Sequence, residues 1–225
     1  MVPDRLNDTS LASAAKQLAT RDKHLAFILK SCGPPPMWSR RPGFSTLIQI
    51  ILEQQVSLAS AASIFARLKK NVIPFHPERM IQLGEIHLKS LGLTRQKTAY
   101  CLHLAQSLRD KHLNLSQLSR MSDADAKSLL MELKGIGSWS ADIYLLMALR
   151  RADIWPASDL ALAIAVTKLK QLPYRPDSNQ LADMAESWRP HRSVAARMLW
   201  QFYLARLQAT RDEAIKRKNS RDRAT

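Results

Sequence analysis

The stretch that most limits what this chain can become is LKGIGSW, residues 133 to 139, where two glycines flank one isoleucine inside helical sequence. Glycine takes up positive φ without steric cost and lets another backbone approach where a Cβ would otherwise stand. The reading is an apolar helix that enters, a reversal over Gly135, Ile136 and Gly137, and a second helix that starts near Ser138. Ile136 then plugs the hairpin into the core. The amides of Gly135, Gly137 and Ser138 face outward at a helix N-terminus, where an anion is favoured. Taken alone, the pattern suits a tight turn between antiparallel helices as well as a grip on phosphate.

Nearly every other periodic segment also reads as helix, and no strand-like alternation persists. Residues 11–31 carry apolar positions at helical spacing through Leu25, Ile28 and Leu29. Residues 44–70 read as one helical region with Ser45 as N-cap. ERMIQLGEIHLKSL ends near Gly92, Thr94 caps RQKTAYCLHLAQSLRD, and Ser122 with Asp125 opens the helix leading to Leu133. LALAIAVTKLK follows Asp159, and HRSVAARMLWQFYLARL forms the last clear helix. CGPPPMWSRRPG, residues 32–43, breaks the chain with four prolines and two glycines, as a connection between lobes would. The expected fold class is all-α. Residues 209–225 hold six basic and three acidic side chains and little to bury, so a basic, flexible tail is expected there.

Charge narrows the partners. Lys and Arg number 34 against 19 acidic residues, a formal net charge of +15. Such a field favours polyanions, nucleic acid first and an anionic membrane second, although a merely basic soluble protein would show it too. No run approaches the roughly 18 apolar residues of a membrane span, and the N-terminus lacks a secretory pattern. The expectation is a protein that is not secreted, cytoplasmic in a prokaryote or nuclear in a eukaryote. Cys32 and Cys101 match no metal-ligand spacing and read as buried thiols. A four-cysteine iron–sulfur cluster is excluded by count. The six histidines are scattered, and none pairs with a carboxylate at metal-site spacing.

Four stretches then fall together in order. They are ILEQQVSLASAA (51–62), LGLTRQKTAYCLHLA (91–105), the glycine hairpin followed by Asp159, and WRPHRSVAARMLW (188–200). With them the chain resembles the helix-hairpin-helix DNA glycosylase superfamily, nearest to its alkylation-repair branch, the 3-methyladenine DNA glycosylase II type. The resemblance covers about residues 20 to 208. It implies a two-lobe helical fold without the N-terminal β-rich lobe of some members. Residues 44–158 would form a six-helix lobe carrying the motif at 133–150, and residues 1–43 with 159–208 would form the second.

Members of that superfamily turn the target nucleotide out of the duplex, because its glycosidic bond is unreachable in the stack. The resemblance makes Asp159 the catalytic carboxylate, opposing the positive charge that develops on the sugar. By its sequence alone Asp159 is also a good N-cap. Trp139 stands where bifunctional relatives place a lysine, so the implied enzyme is a monofunctional N-glycosylase. Trp139, Trp200, Leu58, Ile143 and Gln54 fall at base-pocket positions, and indole faces attract a cationic base. As core residues, the tryptophans need no ligand. Gln55 falls where the family inserts a side chain into the duplex, although two glutamines also suit a plain helix break. Lys134, Gly135, Ile136, Gly137 and Ser138 would meet the DNA backbone. A monovalent cation on the carbonyls of Leu133 and Gly135 is implied, with no other cofactor. The implied partner is double-stranded DNA carrying damaged bases such as 3-methyladenine or 7-methylguanine, met by a monomer with no membrane role. Other readings are a non-catalytic hairpin module that grips DNA, a glycosylase for deaminated or mismatched bases, and a bifunctional lyase.

Overall fold

The computed structural model describes residues 5–222, with side chains through residue 212. In chain order its helices are α1 (Asp8–Arg21), α2 (Lys23–Cys32), α3 (Phe44–Glu53), α4 (Leu58–Asn71), α5 (Pro77–Ser90), α6 (Arg95–Arg109), α7 (Asp123–Met131), α8 (Ser138–Ile143), α9 (Leu160–Lys170), α10 (Ser178–Glu186) and α11 (Arg192–Asp222). A short 3₁₀ turn occupies Gln117–Ser119, and α8 runs on as a π turn over Tyr144–Ala148. Among the described residues there is no strand, only an isolated bridge between Arg5 and Arg151. None of the described helices is long and apolar enough to cross a membrane.

The chain divides into two compact units. Among the described residues, one comprises Arg5 and Trp38–Ile154, the other Leu6–Met37 and 155–222. The boundary at Met37 and Trp38 falls within the proline-rich stretch.

In the first unit α3 is the central rod. Leu47, Ile48, Ile50, Ile51 and Leu52 are all fully buried, a wide apolar face beside the polar stripe of Ser45, Gln49 and Glu53. Helices α4, α6 and α8 pack on it, and α5 packs on α6. Arg40 makes a two-pronged pair with Glu53 at 2.8 and 3.0 Å. Arg151, also fully buried, donates to the carbonyls of Leu118, Ser119 and Met121 and so anchors the 3₁₀ turn. Those charge-assisted bonds satisfy a guanidinium that burial would otherwise penalise heavily.

In the second unit α11 is central. Val194, Ala195, Ala196, Met198 and Leu199 are fully buried, and α1, α2 and α9 pack on that helix. Arg197 donates to the carbonyls of Met37 and Ser193, and burial pushes its guanidinium down to about 10. Trp155 and Trp188 meet edge to face at 5.2 Å.

Several boundaries differ from the sequence expectation. Region 44–70 is two helices, and Gly43, not Ser45, caps the first. Asp22 ends α1 and caps α2 through the amides of His24 and Leu25, splitting residues 11–31. Helix α10 was not anticipated, although the capping box of Asp177 and Gln180 and the apolar period of Leu181, Met184, Ala185 and Trp188 were there to be read. In the basic tail α11 continues to Asp222, while residues 223–225 lie outside the described ones. Its Ala, Gln, Glu, Lys and Arg are strong helix formers, and Gln208 bonds Asp212 one turn on. Cys101 is buried, but Cys32 is only half so.

Candidate active site

The hairpin forms where the glycines placed it. Gly135 adopts φ +87°, and a Cβ built on it would meet the Tyr100 ring at 2.2 Å, so no larger residue fits. Gly137 has φ −90° and open space beside it; it caps α8 without a side chain. Ile136 is buried, and its amide bonds the Leu133 carbonyl. The amides of Gly135, Gly137 and Ser138 find no acceptor among the described residues. Lys134, Gly137 and Ser138 are exposed, which is the arrangement a phosphate would need. Leu133 is buried and its carbonyl already accepts from Ile136.

Behind the hairpin, Lys127 of α7 pairs with the buried Asp142 of α8 at 2.8 Å. This pair joins the hairpin's two helices. Trp139 is half-buried in the first turn of α8, and Ile143 is buried at its end.

The 54–57 turn joins α3 to α4. The Gln54 amide donates to the Gly135 carbonyl and to the Ser140 hydroxyl, each at 2.8 Å. The Gly135 carbonyl is turned toward α3 by the hairpin's reversal, and a primary amide beside it satisfies that acceptor and Ser140 together. The Nζ of Lys97 donates to the carbonyls of Leu52 at 2.6 Å and Gln54 at 2.9 Å. Gln55 is exposed and left-handed, with φ +55°. Ser57 caps α4, and Leu58, its first residue, is 65% exposed.

In the second unit Asp159 caps α9 and is buried. Its Oδ1 accepts from the Leu162 amide at 2.9 Å and from the Trp200 indole Nε1 at 3.1 Å. The structure thus brings Asp159 and Trp200 together, through the N–H at the edge of the indole ring. Leu160, the next residue, is 57% exposed.

Sequence reasoning missed Lys97, Ser140, Tyr100 and the Lys127–Asp142 pair. Lys97 stands in the quoted 91–105 stretch, but nothing local revealed acceptors more than forty residues away. Among the described residues no group of three or more His, Cys, Asp and Glu side chains could hold a metal ion.

Residues 48–190 match the family described as HhH-GPD superfamily base excision DNA repair protein. A DNA-3-methyladenine glycosylase of Bacillus subtilis is 26% identical over 174 residues, covering 70% of this chain and 56% of its own length. DNA-3-methyladenine glycosylase 1 of Schizosaccharomyces pombe is 26% identical over 200 residues, covering 86% of this chain and 88% of its own. The chain spans little more than half the length, 58% and 56%, of the two Bacillus subtilis relatives it matches. In fold it is similar to the Schizosaccharomyces pombe 3-methyladenine DNA glycosylase solved with abasic DNA. That likeness has a TM-score of 0.71 at 24% identity over 84% of this chain and 95% of the other.

Proposed function

This chain belongs to the HhH-GPD superfamily of base excision DNA repair proteins, and from that premise we propose that it is a monofunctional DNA glycosylase for alkylated bases. The substrate class is 3-methyladenine and 7-methylguanine in duplex DNA, and the product is an abasic site left uncut. The observation that carries the reading is Asp159, a buried carboxylate held at the head of α9 by the Leu162 amide and the Trp200 indole.

The chemistry follows from that carboxylate. As the N-glycosidic bond lengthens, positive charge collects on the sugar, and a fixed carboxylate opposite it stabilises the charge without reorganising. The same group orients the attacking water. An alkylated purine is already cationic, so it departs without a strong acid. Trp139 offers no amine, so no Schiff base to the sugar forms from that position. The relatives named as 3-methyladenine glycosylases support the substrate class. The exposed hairpin amides and Lys134 serve as the grip on backbone phosphate.

Asp159→Asn is the informative variant, because asparagine caps a helix about as well as aspartate and so removes charge while keeping the fold. Chromatography of bases released from methylated duplex DNA should show free methylpurine with the wild type and a loss of about a hundredfold or more with the variant. Borohydride should trap no covalent adduct with either. Equal release from both proteins sinks the assignment of Asp159. Tight duplex binding with release from neither leaves a hairpin module that only holds DNA. Release from deaminated but not methylated duplex moves the substrate to the neighbouring class.

A further inference from the structure

The 54–57 turn is held from three sides. At the end of α3, Glu53 is fixed by the guanidinium of Arg40 and by the Gln49 amide. The Gln54 side chain is tied to the hairpin through the Gly135 carbonyl and the Ser140 hydroxyl. Its backbone carbonyl, with that of Leu52, receives the ammonium of Lys97 from α6. The carbonyls at a helix C-terminus lack intrahelical partners and carry the negative end of the dipole. A half-buried lysine is the side chain that satisfies two of them with one charged donor. Between these ties and the Ser57 cap of α4, Gln55 sits at φ +55°. A non-glycine residue keeps that conformation only where its surroundings enforce it.

We infer that Lys97 is a positioning residue for DNA engagement: it locks the α3–α4 turn so that Gln55 is presented, already ordered, to the duplex. The inference rests on the reading of Gln55 as the side chain that enters the duplex. Lys97 touches neither base nor sugar; it removes the freedom the turn would otherwise lose on binding. Gln54 links the same turn to the hairpin, so wedge and backbone grip share one rigid frame.

The test compares Lys97→Met, Lys97→Arg, Gln55→Ala and the Lys97→Met/Gln55→Ala double variant in the full chain. Base release is measured on methylated duplex and on methylated single strands, where no stacked partner has to be displaced. Lys97→Met should lower duplex release about tenfold, the scale of one lost charge-assisted bond, and leave single-strand release within about twofold. Lys97→Arg should restore the duplex rate, and the double variant should be no worse than Gln55→Ala alone. Hydrogen exchange on the free protein gives a readout independent of catalysis: amides at 55–58 should exchange faster in Lys97→Met, while those of α9 stay unchanged. A variant that loses release equally on both substrates, or that leaves exchange at 55–58 at the wild-type rate, overturns the inference. A Gln55→Ala protein with the wild-type ratio of duplex to single-strand release overturns it as well. A wild type that releases no base from either substrate sinks the glycosylase reading instead, and the exchange experiment still decides whether Lys97 holds the turn.

Discussion

At Gly135 the backbone lies at φ +87° and the Tyr100 ring occupies the space a Cβ would fill, 2.2 Å from it. Both effects act against any side chain there. Left-handed backbone costs an L-residue about 1–2 kcal/mol, and overpacking a filled site typically costs about 1–3 kcal/mol. Gly137 has neither constraint. Gly135→Ala should therefore lose about 2–5 kcal/mol of stability in denaturant unfolding, and Gly137→Ala less than about 1 kcal/mol. Equal losses would mean that Tyr100 does not cover the hairpin. The two glycines look alike in the sequence, and the difference between them is supplied by a ring thirty-five residues upstream. The same division runs through the candidate site. Asp159 was legible because its capping partner, Leu162, lies three residues on. The bond from Trp200 to the same oxygen spans 41 residues and left no local trace. Gln54 had only helical sequence around it, so its engagement by Gly135 and Ser140 could not be read.

Helix α3 shows the same contrast at the scale of an element. It has no side-chain N-cap and depends on distant groups at both ends. Lys97 serves its C-terminus, while at the other end the Gly43 amide donates to the Tyr144 hydroxyl at 3.0 Å. Tyr144 is fully buried, and burial pushes its phenol up to about 12, partly offset by the Gly43 bond. A raised phenol pKa favours the folded state while the group stays protonated in both states. In the unfolded chain the phenol ionises near its ordinary value of about 10. The contribution is thus complete below pH 10 and is lost between pH 10 and 12 as the unfolded state gives up its proton first. Tyr144→Phe should be less stable than wild type by about 1 kcal/mol at neutral pH, for the orphaned Gly43 amide. Its deficit should shrink as pH rises above 10. Urea unfolding at a series of pH values reads this, and curves that stay parallel would show that the phenol is not buried. Helices capped from within three residues, such as those at Thr94, Ser122 and Asp159, could be read from sequence. The break at Gln54 could be offered only as one alternative for the two glutamines, because glutamines are good helix formers and what holds the chain there is contributed by α6 and the hairpin.

Over the whole chain the 15-charge excess matters more than its position in any one helix. Many acidic side chains are already matched locally. Glu53 meets Arg40, Asp142 meets Lys127, Asp123 meets Arg151, Glu85 meets Lys89, and Glu186 meets both Arg189 and Arg192. Local neutralisation of this kind leaves the remaining lysines and arginines to set the outer field, which is attractive to a phosphate backbone at long range. Binding to undamaged duplex should then be dominated by counterion release. If about six phosphates are neutralised, affinity falls roughly a thousandfold between 50 and 200 mM salt. Preference for a lesion belongs to a different term, because phosphate contacts position the protein without reading the base. The ratio of affinities for methylated and unmethylated duplex should therefore hold nearly constant across that salt range while both absolute affinities drop. Fluorescence titration of Asp159→Asn, the variant expected to bind without turning over, would measure the two curves side by side. Parallel lines on a plot of log affinity against log salt support a backbone grip separate from base selection. Lines that converge as salt rises would mean that the preference for the methylated base is itself a charge effect, the cationic lesion altering the local field rather than fitting a site.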